Sequence, residues 1–510
     1  MSHATRQIRQ DYLQGADPLR PFYQHSITEP DFQAIIAARQ ARQPDRNILR
    51  EVIRYQYRDL PPHEAVTRNI QLLGEPDTYT VTTGHQLVIF GGPLFTIYKV
   101  MSVIRLAEQL TARHPDTPVV PVFWIHTEDH DYEEINHYYD ARHRKVTYPG
   151  QFNSAVGWHR LTEAIRSIAP AHLGPALLDA YTPGRSLADA TRRFFHTLFG
   201  EYGLVILDAD HPLLKHQFRG VMEQELTTGF SNEAVQETSA RMSAAGYPLQ
   251  IHPRPINLFL MDHAGRSRLE RFGVNYSRVD TGEVITRETL MDLLLDHPEH
   301  FSPNVCLRPL YQEMILPNLA YIGGWGEISY WFQLRGVFEA AGVPFPLVLP
   351  RFSATVFPSH ERSTWESLGL QVGDIQRTLP QLYQEYLPKV WDDTTLHTLE
   401  ADILDQVARL EAYINQDISP TLARSANALH TKTRRYLENL HHKAGKVMRH
   451  RHAAPFQTLA EIKAAVQPDG LVQERTWGLS SMPFMTPDEF LRLVYTHCDP
   501  LNFTHAYLTP

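Results

Sequence analysis

Cysteine is almost missing from this 510-residue chain, which has only Cys306 and Cys498. Two thiols cannot staple a fold of this size, so a disulfide-built scaffold is excluded. Neither thiol has the histidine pattern that would mark a nucleophile beside it. Long apolar runs are missing as well, with nothing near the roughly 20 residues of a membrane-spanning helix. Positive charge is not in excess: 48 Lys and Arg stand against 57 Asp and Glu, a formal charge of −9, which argues against a nucleic-acid partner. The first ten residues are polar and hold no apolar leader segment. Together these absences lead us to expect a cytoplasmic protein without membrane or nucleic-acid partners. Named signatures are absent too: no Walker loop, no Gly-x-Gly-x-x-Gly and no His-Glu-x-x-His.

What is present is globular. With 43% hydrophobic and 21% charged residues, and a length beyond what one core sustains, a large core plus an appendage is expected. Residues 1–75 read as polar helices, one of them capped by Asp31 and another begun at Pro61-Pro62-His63-Glu64. Tyr79-Thr80-Val81-Thr82 reads as a strand, residues 83–86 and Gly91-Gly92-Pro93 as a glycine turn, residues 94–112 as a helix, and residues 119–125 as a strand buried on both faces. That is a βαβ unit, so an α/β fold with a Rossmann-like parallel-sheet core is predicted. Residues 203–207 and 345–349 add strands. The turn Asp262-His263-Ala264-Gly265 joins an antiparallel hairpin within connecting segments inserted at about 140–300.

The core is expected to extend over residues 1–370 and a helical coiled coil over 371–455. In the latter Leu396, Leu399, Ile403, Val407, Leu410 and Ile414 recur at steps of three and four, and the seam resumes beyond Pro420 to Val447. Pro420 either kinks one rod or begins the second arm of a hairpin. Residues 456–510 are aromatic enough to be expected back against the core.

Three segments could carry chemistry. Thr83, Gly84, His85 and Gln86, with Gly91 and Gly92, stand between strand and helix, where backbone N–H groups and a helix dipole favour an anion; an ordinary βα turn reads equally well. Glu128, Asp129, His130 and Asp131 follow the strand ending at Trp124-Ile125, where ligands of parallel sheets bind. Packed carboxylates need a cation, proton or ammonium group nearby. Asp129, His130, Asp131, Glu134 and His137 could instead ligate a metal, although no zinc spacing matches. The third segment holds Arg308, Gln312, Gly323, Gly324, Glu327 and Tyr330. Arg308 and Arg351, on proline-flanked backbone expected to be extended, could each fork onto a carboxylate of a substrate or of the protein.

These motifs stand in an order that resembles one family. Thr-Gly-His-Gln (83–86), Gly-Gly-Pro-Leu-Phe-Thr (91–96), Pro-Val-Phe-Trp (121–124) with Glu-Asp-His-Asp (128–131), Arg-Pro-x-x-Gln (308–312), Gly-Gly-x-Gly-Glu-Ile-x-Tyr-Trp (323–331) and Gln-Glu-Arg (473–475) are similar to the bacillithiol-biosynthesis cysteine-adding enzymes. The resemblance implies a Rossmann-like core with connecting-peptide insertions and a homodimer formed through the coiled coil. It also implies a ligase that joins cysteine to the glucosamine nitrogen of glucosaminyl malate, with ATP suspected as co-substrate and a metal unknown. Residues 83–92 would then hold phosphates, residues 128–131 would bind and deprotonate amino groups, and Arg308 or Arg351 would hold malyl carboxylates. Trp124, Gln312, Gly323, Gly324, Glu327 and Tyr330 would complete the binding set. Two readings from other classes remain at this point: a metal-dependent amide hydrolase using the same cluster, and a non-enzymatic coiled-coil assembly protein.

Overall fold

A computed structural model describes residues 3–263 and 265–510, so Ala264 of the expected hairpin turn lies outside the described residues. The chain divides into two compact units. The first comprises the residues up to Ala354 together with Glu474–Leu508; the second is Thr355–Gln473 with Thr509–Pro510. The segment beyond residue 456 is thus shared, its first part lying in the second unit and its larger part in the first.

The first unit opens with helices His3–Gln14, Phe32–Gln40, Arg46–Tyr57 and Glu64–Leu72. Asp31 caps the second through the Ala34 N–H. Pro61 and Pro62 precede the fourth rather than entering its first turn. Strand β1 (Tyr79–His85) is followed by helix α1 (Leu94–Arg113) and strand β2 (Val119–Ile125), which pairs parallel to β1 as a βαβ unit requires. Short helix α2 (Tyr132–Ile135) leads on to strand β3 (Val205–Asp208) and helix α3 (Pro212–Thr228). An antiparallel sheet then forms from β4 (Leu258–Asp262), β5 (Gly265–Phe272), β6 (Asn275–Arg278) and β7 (Val284–Ile285), with β8 (Phe301–Pro303) beside β4. Helix α4 (Arg308–Ile315), strand β9 (Asn318–Gly323), helix α5 (Trp325–Gln333) and strand β10 (Leu347–Pro350) complete the core.

The core sheet has the order β10-β9-β1-β2-β3 and all four pairings are parallel. From β1 the chain builds outward to β2 and β3, then returns to add β9 and β10 on the opposite side. That reversal opens a crevice beyond the carboxyl ends of β1 and β9, where ligands of such sheets bind. Val119–Ile125 is buried throughout, as its apolar run, interrupted only by Pro121, implies for a strand covered on both faces. The polar threonines of β1 find internal partners: Thr80 and Thr82 donate to Asn318 Oδ1, and Asn318 donates to the buried Glu313, which pairs with Arg39.

In the second unit, α6 (Leu379–Val390) precedes α7 (Thr394–Tyr413), α8 (Ala423–Arg451) and α9 (Ala453–Val466). The chain reverses between α7 and α8, and His430–Glu411 and His441–Glu400 contacts tie the two arms together. Pro420, with Ser419 capping it, therefore begins the second arm of a helical hairpin. Among the described residues no helix is long and apolar enough to cross a membrane.

Candidate active site

The segment expected to be a glycine turn is still strand at Thr83, Gly84 and His85. Gly84 pairs with Trp124 and His85 with Ile125 in the parallel ladder. The turn lies further on, at 86–93, where Gly91 and Gly92 have φ of 86° and 63°, conformations that disfavour other residues. Thr83 Oγ1 donates to the Ile322 carbonyl at 2.7 Å, which makes it a tie between strands. Burial, with the Lys99 charge adding to it, pushes His85 down to about 3. Its ring is therefore neutral, and its buried Nε2 has no hydrogen-bond partner.

Gly84 is needed for a close approach, but to a side chain rather than to an anion. A Cβ there would lie 2.7 Å from His126 Nε2. His126 extends past the end of β2, its N–H bonded to the His85 carbonyl. Burial, reinforced by Arg308, holds its pKa well below the ordinary imidazole value, so it too is neutral, and its Nε2 is unpartnered. Gly84→Ala is accordingly expected to cost about 1–3 kcal/mol, the usual range for overpacking. In a His126→Ala background the same substitution should cost close to nothing. Urea denaturation of the four proteins checks this, and an equal cost in both backgrounds would sink the assignment.

The four acidic-cluster residues separate in space. Glu128 pairs with Lys215, a lysine of α3 with no exposed surface. Burial alone would raise the Asp129 carboxyl, but hydrogen bonds from His130 and Gln86 and the Arg266 charge outweigh it and hold it well below the ordinary carboxylate range. Gln86 Nε2 donates to Asp129 Oδ2 at 2.9 Å and also to Glu134 Oε2 at 2.6 Å, so an amide donor bridges the two carboxylates. His130 Nδ1 accepts from Arg266 Nη1 at 3.0 Å. Asp131 turns away to cap α2 through the Glu134 N–H. His137 Nδ1 contacts the Glu133 carbonyl at 3.2 Å. Among the described residues, the groups whose ligand atoms converge as a metal would require lie elsewhere.

Glu128 and Asp129 face a cavity of about 420 Å³, within the usual range for small-molecule sites. Trp124, His126 and Tyr330 line it together with Phe259, His252, Pro303, Asn304 and Val305. So do four arginines, Arg254, Arg266, Arg268 and Arg308. Burial pushes the Tyr330 phenol up to about 12, so it stays a neutral donor. Arg308 does not lie on extended backbone: it is the first residue of α4, where Pro309 fits the first turn. Gln312, one turn on and fully buried, accepts from Arg308 Nη1 at 3.0 Å and so positions it without lining the cavity. Arg308 Nη2 is buried and has no partner, a charged donor that a ligand oxygen would satisfy.

The remaining candidates are occupied by the protein itself. Gly324 caps α5, and its N–H binds Glu327 Oε1 at 3.1 Å, so the anion position at that helix end is filled from within the chain. Burial opposes ionisation of Glu327, but Lys99 outweighs it and holds the carboxyl at about 2. Lys99 also donates to the Gly84 carbonyl and Tyr321 to Glu327, which locks β1 against the Gly323-Gly324 corner. Arg351, just past β10, spends its fork on Glu474, at 2.9 Å and 2.5 Å. The protein carboxylate, rather than a substrate, takes that arginine.

Residues 1–352 match a family described as bacillithiol biosynthesis BshC, N-terminal Rossmann-like domain. Residues 354–510 match its C-terminal coiled-coil domain. The chain belongs to the bacillithiol biosynthesis BshC family. A relative from Cytophaga hutchinsonii, bearing the name "Putative cysteine ligase BshC", is 33% identical over 97% of this chain and 94% of its own. One of the same name from Flavobacterium johnsoniae is 32% identical over 98% and 96%.

Several site residues of this BshC-family chain had no motif to announce them. Lys99 and Lys215 look like ordinary helix lysines until their burial is seen. Arg254, Arg266 and Arg268 come from the antiparallel sheet and its approach, more than a hundred residues from the acidic cluster they face. A second cavity, of about 250 Å³, lies beyond the end of β1 and is lined by His85, Gln86, Gly92, Tyr139 and Arg475 among others. Cys306 and Cys498 are buried, and burial pushes both thiols up to about 12, so neither is a nucleophile.

Proposed function

We propose that this chain joins L-cysteine to the amino group of glucosaminyl malate, forming the amide of bacillithiol through an activated cysteinyl carboxyl. The observation that carries this reading is the two-signed main cavity. Arg308, with its unpartnered Nη2, and Arg254 offer donors to carboxylates, while Asp129, opposite them in charge, can hold an ammonium group. Arg266, Arg268 and Glu128 already have partners within the protein and set the field around them. Glucosaminyl malate carries both kinds of group, a dicarboxylate at one end and an amine at the other. The names of the relatives support the cysteine half of the reaction.

Amide formation needs the amine neutral when it attacks. Asp129, held strongly ionised, is a good ammonium partner but a weak base. His126, which also lines the cavity, is neutral with an unpartnered buried Nε2. Burial, with Arg308 adding to it, holds its pKa well below the ordinary imidazole value, so it too is a weak base until substrate changes its surroundings. Carboxylates bound at Arg308 would offset the cation that depresses His126, raising its basicity as substrate arrives. Tyr330 and the arginines would stabilise negative charge developing on the carbonyl oxygen.

ATP is the activator this reading calls for. His85 and Arg475, around the second cavity, offer its phosphates donors, and the orphaned His85 Nε2 is the observation that favours a ligand there. The deciding experiment incubates purified protein with cysteine, glucosaminyl malate and ATP, omitting each in turn, and looks for the coupled thiol by mass spectrometry. Product only in the complete mixture supports the reading; no product in any mixture ends it. The two free, buried thiols suit a cytoplasmic, reducing setting, where we place the reaction.

We further propose a homodimer through the helical hairpin. Leu399, Ile403 and Leu410 on α7, with Leu429, Tyr436, Leu440 and Val447 on α8, are 44–73% exposed and recur at steps of four and seven. A hairpin packed only on itself leaves these stripes in water, and a second copy would bury them. Ile403→Glu with Leu410→Glu is expected to yield monomers by light scattering. A wild-type protein that is monomeric at micromolar concentration would sink the idea.

A further inference from the structure

We propose that the helical hairpin carries a binding site for one transition-metal ion such as Zn2+, with Asp393, His397 and His441 as ligands. Asp393 stands at the N-cap of α7, His397 one turn further along it, and His441 on α8 opposite. Their ligand atoms all lie within 4.8 Å of one another. Asp393 Oδ2 is 3.3 Å from His397 Nε2 and 3.3 Å from His441 Nε2. A tetrahedral zinc site with bonds of about 2.0–2.2 Å has ligand-to-ligand edges of about 3.3–3.5 Å. Both edges from Asp393 already have that length.

The supporting carboxylate is also in place. Glu400 Oε2 faces the opposite nitrogen of each ring, 3.2 Å from His441 Nδ1 and 3.6 Å from His397 Nδ1. A carboxylate there takes the Nδ1–H of a neutral ring and turns the Nε2 lone pair toward the metal position, the arrangement that commonly supports histidine ligands. Without a cation, two such lone pairs would confront the Asp393 carboxylate at 3.3 Å. The two rings lie 4.5 Å apart at 33°, and Trp391 packs against His441 at 5.6 Å, fixing the pair. Two imidazoles and one carboxylate select zinc-like ions over calcium or magnesium. His397 is 63% exposed on its side chain, so a water can complete the tetrahedron. The ion would clasp α7 to α8 at the end of the hairpin away from its turn.

The test uses the full chain, stripped with a chelator and titrated with ZnCl2 by calorimetry. One equivalent is expected, with a rise in melting temperature. His397→Ala and His441→Ala should each remove that equivalent and the thermal response. Glu400→Gln should weaken it by about 10- to 100-fold, the usual effect of losing the carboxylate behind a ligand. Circular dichroism without metal establishes that the variants fold, and the exposure of His397 makes its loss mild. Co2+ in place of Zn2+ should give the visible absorption of a tetrahedral site, absent in both alanine variants. A separate loop group, His297, Glu299 and His300, is controlled by His297→Ala with His300→Ala, which should leave the equivalent in place. No zinc bound by the wild type overturns the proposal, as does an equivalent that survives both His397→Ala and His441→Ala. The first of those results would leave the rings bridged to Asp393 and Glu400 by protons alone.

Discussion

Lys215→Met is expected to lower the stability of the protein by about 3–5 kcal/mol, the range for removing one partner from a buried ion pair. Lys215 has no exposed surface, pairs with Glu128, donates to the Phe301 carbonyl at 2.6 Å and lies 3.8 Å from Asp210 Oδ1. Methionine keeps the length of the side chain but leaves the Glu128 charge without its counterion. Asp210 shows how finely this pocket is balanced. Burial pushes its carboxyl up, Lys215 pulls it down, and Glu128 and Asp208 push it up again, leaving it at about 7. Since the folded value lies above the unfolded value of about 3.9, native Asp210 binds the extra proton between those limits and its contribution is lost as pH rises through 7. Losing Lys215 raises the Asp210 carboxyl further, so the deficit of the variant should shrink on acidification. Glu128→Gln in the Lys215→Met background should recover part of the loss. Urea midpoints of the four proteins at pH 8 and pH 5 measure both effects. A loss under 1 kcal/mol would show that water already reaches Glu128.

The framework was legible because its signals are local. β2 runs from Val119 to Ile125, as the apolar run around Pro121 implies, and Asp31 caps the helix it precedes. The site was legible only as far as its signals were local too. Glu128 and Asp129 stand at the end of β2 as expected, but Asp131, two residues on, belongs to a helix cap. The strand at Gly84 could not be told from a turn, because a glycine that admits a neighbouring ring and one that admits a phosphate look the same in sequence. Arg351 and Glu474 are 123 positions apart, so nothing near either residue shows that the arginine is already paired. Pro420 fits a kink or a hairpin equally well, and the choice falls to contacts between α7 and α8 that span the turn. In each case the local pattern supplied the element and long-range pairing decided its use.

That distinction turns one expectation about the acidic cluster into two opposite ones. Asp131→Asn should leave both coupling and stability near wild type, because asparagine caps a helix about as well as aspartate and the side chain does not line the cavity. Asp129→Asn should lower coupling at least about tenfold, the low edge for losing a charged contact to substrate ammonium or for disturbing proton transfer beside it. It should also destabilise the fold. Like-charge crowding alone predicts the reverse, but Asp129 lies among donors from Gln86 and His130 with Arg266 close by, which hold its folded pKa well below the ordinary value. A depressed folded pKa means that the ionised carboxylate stabilises the protein above about pH 3.9, and that this contribution is lost as pH falls through the folded value. The gap between wild type and Asp129→Asn should therefore be full at pH 7 and should narrow on acidification. Coupling assays with glucosaminyl malate, alongside melting curves from pH 7 to pH 3, separate the outcomes. Full coupling in Asp129→Asn would remove this carboxylate from the mechanism, and a raised melting temperature at pH 7 would show that repulsion, not Arg266 and Gln86, governs the cluster.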